Sequence, residues 1–275
     1  MALVQMNFQS QYLQSNHEIT VILPDRPWKT DAKDFYSSGK KYPVLYLLHG
    51  TFGDHSDWIR KSNIELYACE NDLIVVMPSG LNANYQNWSN FALGYDMYNY
   101  LFEELMPLVT NWFPASSKRE DTFIAGLSMG GGGTALYAAQ HPEKFAGAAI
   151  LSSAPRNLEA LRDTPEDKID VRTKNIIAMY GGLDNYINSV GNSWAALDEL
   201  VAKKADLPKL YFACGLDDML LSTYTTFKEH AKEIGLDAKF EEFEGYKHEW
   251  RFWDLTIQRA LAYFGFESRD CGNPF

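Results

Sequence analysis

The chain has 275 residues, 46% hydrophobic and 22% charged, and a formal net charge of −11 at pH 7. That is enough apolar material for one large core, so a single domain over residues 1–275 is expected. The acidic balance, with dispersed basic residues, argues against nucleic-acid or anionic-membrane partners. No apolar run reaches membrane-spanning length, and residues 1–7 have neither the basic nor the apolar region of an export signal, so a cytoplasmic protein is expected. Cys69, Cys214 and Cys271 are an odd number without metal-ligand spacing, which fits a reducing compartment better than a disulfide framework.

In chain order, residues 4–10 and 17–23 read as two strands, the second broken by Pro24 and Pro27. Strand-like runs follow at 44–48, 73–77, 122–125, 147–151, 210–214 and 239–243. Helical periodicity fills the gaps around 61–70, 95–112, 131–140, 193–203, 222–234 and 254–264. The middle strands are continuous apolar runs, as expected when helices cover both faces of a mostly parallel sheet. This predicts a doubly wound α/β fold whose site lies beyond the carboxyl ends of the strands. The one long excursion runs over about 154–198; its apolar stretch 176–180 could be a strand or part of a helical cap.

The strand at 122–125 runs into Gly126, Leu127, Ser128, Met129 and Gly130, a G-x-S-x-G pattern between a strand and a helix. A serine at such a turn sits in strained backbone, and glycine two residues before and after removes the Cβ atoms that would collide. Gly130 to Gly133 in a helix's first turns cost about 1 kcal/mol each against alanine, so close helix–strand approach must require them. The helix N-terminus then points its free N–H groups at the reaction site. Ser128 is the candidate nucleophile.

A serine nucleophile on this sheet expects an acid and then a histidine on later loops. Downstream histidines are His141, His230 and His248. His141 closes the helix of the elbow and His230 sits on a solvated helical face, which leaves His248, after the last strand, as general base. The acid should follow strand 210–214, where Asp217 and Asp218 are adjacent; the residues alone do not choose between them. An oxyanion hole needs the N–H of Met129 and one from the loop after strand 44–48. Thr51 is favoured there, with Phe52 as the fallback. His49, Asp54, His55 and Asp57 in that loop read better as a glycine-rich turn with polar caps than as a metal cluster, and no metal or organic cofactor is expected. Aromatics around the presumed mouth include Trp58, Tyr85, Phe91 and Trp253; Phe52, Trp88, Trp194 and Trp250 are the candidate substrate-binding residues.

Together, His49-Gly50 with Gly53 and Trp58, the elbow Gly126 to Gly131, Cys214-Gly215 with Asp218 and Leu220, and His248 with Trp250 and Trp253 resemble the esterase D-like branch of the α/β-hydrolases. Within it the chain is similar to bacterial tributyrin esterases and to the acetyl and feruloyl esterases of plant-polysaccharide degradation. The resemblance spans nearly the whole chain. It implies that the acid is Asp218, not Asp217, and that 154–198 caps an acyl pocket. S-formylglutathione hydrolases carry a Gly-Leu-Thr-Cys-type loop where this chain has Gly50-Thr51-Phe52-Gly53, so a glutathione thioester is the less favoured substrate. The expectation is a serine carboxylesterase acting on short-chain acyl esters, with acetyl groups on carbohydrate the first choice and feruloyl esters the second. An acyltransferase using the same triad is the rival, and the partner is a small-molecule or oligosaccharide ester. A homo-oligomer is compatible with all of this.

Overall fold

A computed structural model describes residues 2–91 and 93–268; Cys271 lies outside them. The main sheet has eight strands in the order β1-β2-β4-β3-β7-β8-β9-β10. They are β1 (Ala2–Ser10), β2 (Ser15–Leu23), β3 (Val44–Leu48), β4 (Ile74–Pro78), β7 (Thr122–Leu127), β8 (Gly147–Leu151), β9 (Lys209–Gly215) and β10 (Ala238–Phe243). A separate two-residue ribbon pairs β5 (Asn87–Trp88) with β6 (Tyr95–Asp96). β1 and β2 form an antiparallel pair that joins β4 antiparallel, and every other pairing in the main sheet is parallel.

The central strands are fully buried because both faces are covered. One face packs Val44, Tyr46, Ile124 and Ile150 under the helices Met129–Gln140 and Leu221–Ile234. The other packs Leu45, Leu47, Ala125 and Leu151 under Ile64–Glu70 and Trp250–Phe264. Continuous apolar runs are what two covered faces demand. The helix expected over 95–112 is one helical stretch whose middle, Tyr100–Leu105, widens to π geometry. Pro107, just beyond, has no N–H to offer the carbonyl four residues back, and its ring would crowd it.

The excursion between β8 and β9 is helical where periodicity left the choice open. Val171–Met179 is a helix capped by Asp170, whose side chain accepts from Thr173 N–H. Leu183–Ile187 and Ser193–Ala202 follow. Leu158, Ile176, Tyr186 and Ile187 form a small apolar cluster of their own within it. Among the described residues, no helix is long and apolar enough to cross a membrane.

Candidate active site

Ser128 sits between β7 and the helix Met129–Gln140 with φ +52° and ψ −116°, the strained turn the glycine spacing implies. Its neighbours tolerate nothing larger. A Cβ on Gly126 would lie 2.3 Å from the Gly130 carbonyl oxygen, and one on Gly130 would lie 2.5 Å from those of Leu48 and His49. The helix therefore starts hard against the ends of β3 and β7.

Ser128 Oγ lies 2.9 Å from His248 Nε2, and His248 Nδ1 lies 3.0 Å from both carboxylate oxygens of Asp218. With the carboxylate accepting from Nδ1–H, Nε2 is free to accept the Ser128 hydroxyl proton. The loops that carry Asp218 and His248 are joined by backbone, Asp217 N–H donating to Tyr246 O at 3.0 Å. Asp218 has no exposed side-chain surface, whereas Asp217 is exposed. Burial alone would push the Asp218 carboxyl up, but bonds from His248, Leu220 N–H and Ser152 outweigh it and hold the group below its ordinary value.

Ser152 is a member of this network that the sequence reading missed. It follows β8 with φ +49°, fully buried; its Oγ accepts the Trp253 indole N–H at 2.9 Å, and its hydroxyl helps hold the Asp218 carboxyl below its ordinary value. Trp253 also packs edge-on against the His248 ring, with 5.0 Å between centroids. No motif announces a serine in this role, because its partners lie 66 and 101 residues away in the chain.

The loop after β3 lies beside Ser128. A Cβ on Gly50 would touch Leu127 and Ser128. The Phe52 amide, at φ +65°, donates to Asn82 Oδ1 at 2.9 Å, while among the described residues the Thr51 and Met129 amides donate to no protein acceptor. His49 staples this loop from beneath: its Nε2 accepts from Gly80 N–H at 2.6 Å, so Nδ1 carries the proton and donates to Gly50 O, also at 2.6 Å. Burial lowers the pKa of His49, in keeping with that neutral ring. The other polar groups of the loop are also engaged. Asp54 accepts from Ser56, His55 bonds Thr20 and pairs with Glu18, and Asp57 pairs with Lys61.

A cavity of about 460 Å³ opens at Ser128 and Met129, between the sheet end and the excursion. Of the four aromatic candidates for substrate contact, none is among its lining residues. Phe52 is 92% exposed, outside the cavity. Trp88 spends its indole N–H on Ala83 O and packs against the two apolar clusters beside it. Trp250 wedges edge-on between Trp58 and Trp253. Trp194 lines an adjoining cavity of about 330 Å³ but is 9% exposed and stacked on His230. These three indoles are taken up by packing, which amphipathic aromatics satisfy as readily as ligand contact.

The family model Esterase matches residues 10–264. The chain belongs to that family. The esterase is 34% identical to an acetyl esterase of Caldicellulosiruptor saccharolyticus over 271 residues, covering 96% of this chain and 98% of the relative. Two solved structures from Staphylococcus aureus, an S-formylglutathione hydrolase and a fluorophosphonate-binding serine hydrolase, are each 32% identical with a TM-score of 0.78. Each match covers 96% of this chain and 98% of theirs. A ferulic acid esterase, 24% identical over 96% of this chain and 97% of its own at TM-score 0.69, shares the fold. The protein is a carboxylic ester hydrolase of the α/β-hydrolase superfamily.

Proposed function

We propose that this esterase is a serine carboxylesterase that removes short acyl groups, acetyl on carbohydrate first among them. Ser128 Oγ attacks the ester carbonyl as His248 Nε2 takes its proton, and Asp218 stabilises the imidazolium that forms. The Met129 and Thr51 amides hold the oxyanion; the engagement of the Phe52 amide by Asn82 favours Thr51 over the fallback. Collapse expels the alcohol, which takes the proton back from His248. Water then attacks the acyl-enzyme with His248 again as base, releasing the acid and restoring Ser128.

The observation that carries this reading is the unbroken Ser128–His248–Asp218 hydrogen-bond chain at the mouth of the cavity. The acetyl esterase relative supports the acyl group. Ser128→Ala should lower hydrolysis of p-nitrophenyl acetate by at least about a thousandfold while the fold is retained. Near-wild-type turnover in a folded variant would refute the nucleophile assignment.

A second reading, thioester hydrolysis on an S-acylglutathione, takes its support from the S-formylglutathione hydrolase of S. aureus. The Gly-Leu-Thr-Cys-type loop of the S-formylglutathione hydrolase branch does not occur here, where the chain reads Gly50-Thr51-Phe52-Gly53. Comparing kcat/KM on S-formylglutathione with that on an acetylated xylo-oligosaccharide separates the two, and the sugar ester is expected to be the better substrate.

A further inference from the structure

The segment 80–88, after β4, is held in a conformation its residues would not choose alone. Leu81, Asn84 and Tyr85 all have positive φ, at +46°, +52° and +55°. Strain of this kind persists only where the surroundings over-determine it. Here the anchor is Tyr85, fully buried, whose hydroxyl donates to His49 O at 3.1 Å. Its ring fills niches left by two glycines: a Cβ on Gly80 or on Gly133 would lie within 2.7 Å of ring atoms. One of the glycines that looked costly in the helix therefore makes room for this ring.

With Tyr85 pinned, the residues on either side, Asn84 and Gln86, line the nucleophile cavity. Gln86 is 8% exposed. Among the described residues, Asn84 Nδ2 and Gln86 Oε1 are buried without a hydrogen-bond partner. Asn84 Nδ2 is a donor and Gln86 Oε1 an acceptor. Two residues of the cavity wall, one on each side of the rigid anchor, thus carry one unused donor and one unused acceptor.

A buried amide without a partner is costly, and an alkyl chain filling the cavity would leave both atoms orphaned. A hydroxyl can donate to one and accept from the other. An acetyl group is far too small to occupy about 460 Å³, so the alcohol half of the ester must supply whatever meets this wall. We propose that Asn84 and Gln86 bind hydroxyl groups on the alcohol half of the substrate and so select sugar esters over alkyl esters. This rests on the short-acyl reading above.

The test compares a methyl xyloside monoacetate with cyclohexyl acetate, a six-membered ring without hydroxyls, each rate normalised to its hydroxide-catalysed hydrolysis. Wild type should prefer the xyloside ester by about tenfold or more in kcat/KM. Gln86→Met, close in shape but apolar, and Asn84→Gly, which tolerates the positive φ, should each shrink that ratio about fivefold or more. A parallel pair, p-nitrophenyl 3-hydroxybutyrate and butyrate, should show no matching change in its ratio. A wild-type ratio near one overturns the proposal even if neither variant folds. So does an unchanged ratio in variants that unfold cooperatively, or a change confined to the hydroxyacyl pair, which would place the recognised hydroxyl on the acyl side. Ser128→Ala is assayed alongside on cyclohexyl acetate: full activity there would refute the nucleophile assignment, a result distinct from a lost sugar preference.

Discussion

Asp217 and Asp218 are chemically identical neighbours with opposite surroundings. Asp218 turns inward to His248, Leu220 N–H and Ser152, whereas Asp217 stays exposed and uses its backbone to tie the acid loop to the histidine loop. Asp218→Asn should therefore lower kcat by orders of magnitude, because the imidazole loses its orienting carboxylate, while Asp217→Asn should cost about tenfold or less. Steady-state kinetics on p-nitrophenyl acetate checks the ranking, and the reverse order would put the acid one residue earlier. The depressed pKa of Asp218 keeps this carboxylate ionised across the neutral range. Asp218 therefore contributes no limb to the rate profile in that range.

At the scale of the element, β2 carries a titratable group outside the Ser128–His248–Asp218 hydrogen-bond chain. His17 is buried against Tyr100, with 4.7 Å between ring centroids, and burial, reinforced by His55 and His49, pushes its pKa down from 6.5 to about 4. Between those values the unfolded chain binds a proton that the folded strand refuses. Stability is then full above about pH 6.5 and drains as pH falls toward about 4, by an amount on the order of 3 kcal/mol. Urea unfolding midpoints measured between pH 4 and 7 should show the decline, and His17→Phe should flatten it. A variant curve parallel to wild type would assign the acid sensitivity elsewhere. The helix Met129–Gln140 teaches a related lesson: its opening glycines are unfavourable by propensity, and what retains them is the approach of β3, β7 and the Tyr85 ring.

At the scale of the whole molecule, the cavity exists only because the excursion between β8 and β9 lies over the sheet end. Ile176 and Tyr186, from that excursion, line it together with Met129 and Leu136 of the helix after Ser128. Each methylene that can be buried gains about 0.8 kcal/mol, but forcing a chain into a closed space costs about 1 to 3 kcal/mol. Because the alcohol half takes this cavity, an acyl chain longer than butyryl competes with it for the same space, so kcat/KM on p-nitrophenyl esters should peak between acetyl and butyryl and fall steeply by octanoyl. A rate that climbs to decanoyl would mean a long open channel, and the carbohydrate-ester reading would lose its support.

The sequence by itself determined the sheet and the strained serine turn and singled out one candidate histidine, because each has a local cause. Buried parallel strands need continuous apolar runs, a strained serine turn needs glycine on both sides, and chain order on this fold leaves one histidine after the last strand. The residues alone left Asp217 and Asp218 undecided, and left 176–180 open between strand and helix. Burial and partners distinguish the two aspartates, and packing on Leu158 and Tyr186 holds 171–179 as helix. Tertiary structure alone decided which aromatics are packing and which polar groups face the cavity. Trp88, Trp194 and Trp250 have the composition of a binding surface but are consumed by neighbours distant in sequence, whereas Ser152, Asn84 and Gln86 belong to no motif. Their positions follow from long-range contacts: Trp253 and Asp218 converge on Ser152, and the Tyr85 ring seats between Gly80 and Gly133. Such contacts form only when the whole chain closes on itself.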